Sequence, residues 1–219
     1  MRPRMILTLT SRKGVCGKTL LTMLIASALA EQGRRIALVD ADPNGSVQRW
    51  VTDIRHGAPI VSYAEADADR LAELLPDLAE QHAVVVVDTA GFGNRAATVA
   101  AAAADLVLVP VAPGEADVIE ASRMIASVAG LARSTRRPIP ALVVINRVRR
   151  NTTLARHIVA EIDRLQLPRL ATTLSEAVAY GEMSFSGALP AGGTPAEEVA
   201  GLLDELRQHG IAFHQDMKT

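Results

Sequence analysis

The chain has 219 residues, 49% of them hydrophobic and 21% charged, and a formal net charge of -1 at pH 7. This composition excludes a disordered chain, supplies enough Ala, Val, Leu and Ile for a sizeable core, and lacks the global basic field of a general nucleic-acid binder. One cysteine, Cys16, excludes an intrachain disulfide and a multi-cysteine metal or iron–sulfur site within one chain, and no apolar run is long enough to span a bilayer, so a cytoplasmic protein is expected.

After the basic start Met1-Arg2-Pro3-Arg4, residues 6–10 read as a first strand rather than as a signal peptide, because the apolar stretch is short and runs into a glycine-rich loop. Residues 18–32 carry a helical pattern with Gly33 as its stop. A second strand is expected at 36–40, a helix at 68–81, and a strand at 83–88, whose four consecutive valines predict burial on both faces. Strands at 106–111 and 141–145 repeat that pattern, with helices at 115–132, 153–165 and 196–208; residues 186–194, rich in Gly and Pro, read as a loop. Strands alternating with helices predict an α/β fold in a single domain over 1–219, with a mostly parallel sheet covered by helices on both faces. Ligands of such sheets bind at the carboxyl ends of the strands. The loop after the first strand, Asp40 and Asp88 all fall at that edge.

The loop reads Ser11-Arg12-Lys13-Gly14-Val15-Cys16-Gly17-Lys18-Thr19. Only three lysines occur in the chain, at Lys13, Lys18 and Lys218, so two lie in this one loop of an arginine-preferring protein. A compact point charge suits a phosphate here better than a planar fork. Gly17-Lys18-Thr19 between a strand and a helix is the setting of a phosphate-binding loop: backbone N–H groups and the helix dipole face the anion, Lys18 reaches the phosphates and the Thr19 hydroxyl meets Mg²⁺. The strict motif requires glycine at position 12, where Arg12 stands. The competing reading is a glycine turn before an ordinary helix.

Two further segments end strands in carboxylates. Asp40-Ala41-Asp42-Pro43 suits a site that holds Mg²⁺ and orients water, or else an Asp-rich turn fixed by Pro43. Val85-Val86-Val87-Asp88 suits a Walker B strand that presents Asp88 to Mg²⁺ through water, or else a helix-capping aspartate. Asn146 ends the strand at 141–145 and is otherwise a plain loop asparagine.

With Lys13, Gly14, Gly17, Lys18 and Thr19 matching, the loop resembles the deviant phosphate loop of the ParA/MinD family, Lys-Gly-Gly-x-Gly-Lys-Thr; Val15 departs from the family's second glycine. Asp40-Ala41-Asp42-Pro43 looks like the family's second motif, and the likeness covers most of the chain, closest to the short plasmid-partition ATPases that begin at the first strand. The resemblance implies a deviant Walker P-loop NTPase with ATP/ADP and Mg²⁺ as cofactors. By it, Gly14, Val15, Cys16, Gly17, Lys18, Thr19 and Leu20 bind nucleotide and Asn146 meets the adenine. Lys13, Lys18 and Asp42 are the catalytic residues, with Lys13 crossing to a partner's nucleotide and Asp42 orienting the water. Thr19, Asp40 and Asp88 serve the metal. The implied partners are a second copy joined face to face on ATP binding, non-specific DNA and a ParB-like or centromere-binding adaptor. The implied task is partition of a plasmid or chromosome, or positioning of other cargo, nucleoid-associated when ATP is bound. Arg133, Arg136, Arg137, Arg147, Arg149 and Arg150 form two clusters that suit a DNA backbone or a solvated surface. Acidic residues on the last helix argue against a membrane-tethered role. The five histidines lack metal-ligand spacing, Cys16 fills a variable loop position, and Trp50 is expected to pack. An ATP-dependent metabolic synthetase on the same P-loop scaffold is the alternative; an electron-transfer ATPase lacks the cysteines it would need.

Overall fold

The computed structural model describes residues 5–12, 16–55, 59–91 and 93–210. Among them, β1 (Met5–Leu9), β2 (Ile36–Ala41), β3 (Ile60–Ala64), β4 (Val84–Thr89), β5 (Leu106–Val111) and β6 (Ala141–Ile145) build one sheet in the order β3-β2-β4-β1-β5-β6, parallel throughout. The helices are α1 (Lys18–Glu31), α2 (Ser46–Asp53), α3 (Ala68–Gln81), α4 (Arg95–Ala103), α5 (Glu115–Thr135), α6 (Thr153–Arg164), α7 (Val178–Ser186) and α8 (Gly193–Gln208).

Strand alternation divides the core in two. Leu7, Leu9, Leu38, Val86 and Leu108 face the layer of α1, α2, α7 and α8, whereas Ile6, Val39, Val85, Val87 and Val109 face α3 to α6. The valine run therefore serves both layers, as its continuous apolar pattern predicts, and burial of each valine contributes about 1.5–3 kcal/mol. Pro110 is tolerated within β5 because its nitrogen lies on the β1 side beyond the last β1 pairing, at Leu108.

Most predicted elements lie where the patterns put them, with shifted ends. β1 starts at Met5 and stops at Leu9, although the Thr10 N–H still bonds the Leu108 carbonyl. α1 stops at Gly33, whose φ of 77° and N–H bond to the Ala30 carbonyl close the helix as expected. α5 runs on to Thr135, and α8 begins at Gly193, with Pro195 accommodated in its first turn. β3, α2, α4 and α7 carry no clear signal in the sequence. β3 is an edge strand in which only Ile60 is buried, and α2 and α7 are short helices of 8 and 9 residues without a capping side chain. Trp50 of α2 packs in the core and donates its indole N–H to the Met183 carbonyl on α7.

Candidate nucleotide site

The parallel register places three strand ends side by side. Asp88 on β4 is the register partner of both Asp40 on β2 and Leu9 on β1, and the phosphate loop departs from that end of β1. Gly17 caps α1 with φ 86° and no capping side chain, so the first amide groups of the helix carry no side-chain cap. Glycine is required there twice over. The left-handed φ strains any other residue, and a Cβ would meet Asn146 Nδ2 at 2.4 Å.

Lys18 is buried and donates from Nζ to Ser11 Oγ at 3.0 Å. Cys16, also buried, donates its S–H to the same oxygen at 2.9 Å, so it packs within the loop. Ser11 thus gathers both ends of the loop, a role invisible in a pattern that starts at position 12. Thr19 Oγ1 donates to Asp88 Oδ2 at 2.8 Å, and Thr22 Oγ1 reaches Asp88 Oδ1 at 3.2 Å. Thr22 was missed by sequence reasoning; its signal is the i+3 spacing from Thr19 on one helix face. The helix-capping alternative for Asp88 fails, because Asn94 caps α4 by accepting from the Ala96 N–H at 2.8 Å.

Burial, first of all, pushes the Asp88 carboxyl up to about 7; Asp40 adds repulsion, while the Thr19 and Thr22 hydroxyls and Lys18 act against it. Burial likewise raises Asp40, although its carboxylate accepts from the backbone N–H groups of Asp42 and Gln48. Asp42 is partly exposed and accepts the Asn44 N–H at 2.9 Å, so it does hold the turn before α2, two residues beyond Asp40 at the same edge of the sheet. Both readings of the Asp-x-Asp-Pro segment are therefore compatible with one geometry.

Asn146 is buried at the end of β6. Its Nδ2 donates to the Cys16 carbonyl at 3.1 Å and its Oδ1 accepts the Arg147 N–H at 2.9 Å, which ties the phosphate loop to the turn beyond β6. Beside that turn lies a cleft of about 390 Å³ lined by Ala112, Pro113, Arg147, Arg149, Thr152, Leu154 and Glu176. Leu20 is partly buried in the first turn of α1 and packs against the core. Lys13, Gly14 and Val15 lie outside the described residues.

The oxygen-only set of Thr19, Asp88 and Asp40 suits Mg²⁺, a hard ion that keeps much of its water and takes phosphate oxygens as ligands. No ready cage of three or more His, Cys, Asp or Glu occurs among the described residues. Thr19 and Asp88 are nevertheless already paired at the edge where an ion bound to phosphate would sit.

The two arginine clusters do not join. Arg133 and Arg136 end α5 and Arg137 precedes β6, at the amino edge of the sheet; Arg147, Arg149 and Arg150 follow β6 at the carboxyl edge, a strand length of about 17 Å away. Arg137 is absorbed in structure, bonding Asp105 and the carbonyls of Ala102 and Ala104 behind α4. On the last helix, Glu198 is a buried anchor. Its Oε2 accepts from the Ser175 N–H and hydroxyl and the Tyr180 hydroxyl, and its Oε1 pairs with Arg150. Glu205 accepts the Ala171 and Thr172 N–H groups. These two acids are therefore structural, a use that charge counting along the helix could not reveal.

The VirC1 protein family profile matches residues 4–192. The virC1 protein of Rhizobium rhizogenes is 32% identical over 192 residues, which cover 84% of this chain and 82% of that protein. The maintenance of carboxysome distribution protein A of Halothiobacillus neapolitanus is 28% identical over 207 residues, covering 91% and 95%. Among solved structures, an ATP complex of a Cyanothece McdA variant superposes with a TM-score of 0.80 at 15% identity, covering 99% of this chain and 100% of that one. MinD of Aquifex aeolicus superposes with 0.76 at 19%, covering 96% and 100%. Those two likenesses speak for the fold, and the profile together with the virC1 relative speaks for descent: the chain belongs to the VirC1 family, within the ParA-like deviant Walker ATPases.

Proposed function

We propose that the protein binds and hydrolyses Mg–ATP, that ATP joins two copies face to face, and that the joined form binds DNA without sequence preference to segregate or position cargo. The observation that carries the reading is the convergence of Lys18, Thr19, Asp88 and the open N-terminus of α1 on one edge of a parallel sheet. The printed names support the biological sense: one relative is a carboxysome distribution protein, and one solved structure with this fold is a putative plasmid partition protein of Borrelia burgdorferi bound to AMPPNP.

The amide groups that follow Gly17 cradle the phosphates, and Lys18 leaves Ser11 to neutralise them. Mg²⁺, held by Thr19 and through water by Asp88, would supply charge compensation at the transferring phosphoryl group. Asp42 orients the attacking water, while Asp40 fixes the backbone of the Asp42 turn. Lys13 reaches the nucleotide of the second copy, and Asn146 faces the adenine with the amide hydrogen that Cys16 does not take. A ParB-like or centromere-binding adaptor stimulates hydrolysis and release.

Substitution of Lys18 by alanine is expected to abolish ATP binding measured by calorimetry, with the fold retained by circular dichroism. An unchanged affinity would remove the phosphate-loop assignment. A metabolic synthetase would also need Lys18, but it would consume ATP only with a co-substrate.

A further inference from the structure

The segment after β6 carries four exposed arginines in ten residues, Arg147, Arg149, Arg150 and Arg156. They surround the entry to α6, whose first turn contains no acidic residue and whose positive dipole end adds to theirs. Their fates differ. Arg150 is held by Glu198, whose side chain is 2% exposed and has three other donors, so no outside anion can displace it cheaply. Among the described residues, Arg149 is held by Glu176 alone, with 79% of the arginine and 52% of the glutamate in solvent. Such a pair contributes about 0–1 kcal/mol, and a phosphate oxygen can replace the carboxylate at little cost. Arg156 makes no ion pair among the described residues. In the arginine cluster at the opposite edge, Arg137 is consumed behind α4, while Arg133 and Arg136 stand exposed. The carboxyl-edge turn is also the one that Asn146 hooks to the phosphate loop, so a surface here is connected to what the loop binds.

We propose, resting on the ATP-switched DNA reading above, that Arg149 and Arg156 at the entry to α6 contact the DNA backbone, and that Glu176 occupies the place of one phosphate until DNA displaces it. Guanidinium forks favour phosphate oxygens, and a backbone contact needs no base reading.

The test titrates the full chain, with Mg²⁺ and a non-hydrolysable ATP analogue, against random-sequence duplex DNA over a range of salt, with a polyglutamate peptide as the competing acidic probe. The Arg149→Ala/Arg156→Ala pair should weaken DNA binding about tenfold or more near 0.1 M salt and flatten the salt slope by about two. Arg133→Ala/Arg136→Ala should leave binding at the parent value. Glu176→Gln should tighten it several-fold while ATP affinity by calorimetry stays unchanged. Unchanged DNA binding in the Arg149/Arg156 pair, or an equal loss in the Arg133/Arg136 pair, overturns the proposal. Loss of ATP binding in the Arg149/Arg156 pair also overturns it, by placing these arginines in the nucleotide site. Should the parent bind no DNA with ATP, the DNA reading itself falls; polyglutamate binding that needs Arg149 and Arg156 would then assign the surface to an acidic protein partner.

Discussion

Asp88 is the residue at which burial and chemistry oppose each other most directly. Its carboxyl is pushed up to about 7 in the folded chain and lies near 3.8 when unfolded. Between those values the folded state binds the extra proton, so this group's stabilisation is complete below about pH 4 and is lost as pH rises to about 7. Asp40, also raised by burial, acts in the same direction. Denaturant unfolding of the nucleotide-free protein is therefore expected to give lower stability at pH 8 than at pH 5, with the difference reduced in Asp88→Asn and in the presence of Mg–ATP. A parent protein equally stable at both values would contradict the buried, poorly compensated carboxyl. Gly17 is the second decisive position. Gly17→Ala puts a Cβ 2.4 Å from Asn146 Nδ2 at a φ of 86°, so it should lower both ATP affinity and the melting temperature. A variant with parent ATP affinity would show that the loop does not depend on this close approach.

At the scale of elements, the last helix works as a brace for the nucleotide edge. Through Glu198 it holds Ser175, Tyr180 and Arg150, and thereby the segments that follow β6. Glu198→Ala leaves the Ser175 N–H without its acceptor, the Tyr180 hydroxyl with only the longer bond to the Pro195 carbonyl at 3.3 Å and Arg150 without its carboxylate, and should destabilise the fold by about 2–4 kcal/mol in urea titration. A loss within about 0.5 kcal/mol would contradict the brace. This network was not legible in the sequence, where Glu198 is one of several acids on an amphipathic helix and its partners lie between 18 and 48 residues away. The valine run of β4 and the Gly33 stop of α1 were legible because their signals are local: continuous burial and one left-handed glycine. β3 was not, because a five-residue edge strand with a single buried side chain leaves only a short, weak pattern. Likewise, Lys18, Thr19 and Asp88 could be named from motif spacing, whereas Ser11 and Thr22, which bond Lys18 and Asp88, become visible only when β1, α1 and β4 are side by side.

For the whole molecule, the parallel order β3-β2-β4-β1-β5-β6 gathers the phosphate loop, both aspartates and the Arg149–Arg156 surface at one edge, and separates them from the arginines at the end of α5. An edge of this kind can be closed by a second copy and can report its nucleotide to a neighbouring surface. Lys13, which the family resemblance assigns to the partner's nucleotide, separates closure from simple binding. The direct measurement is molar mass by light scattering with Mg²⁺ and either ADP or a non-hydrolysable ATP analogue, for the parent and for Lys13→Ala. The account predicts the 23.2 kDa chain mass with ADP, twice that mass with the analogue for the parent, and the single-chain mass for Lys13→Ala even though it binds the analogue. A parent that stays at the single-chain mass while saturated with the analogue, or a Lys13→Ala protein that doubles as the parent does, would contradict it.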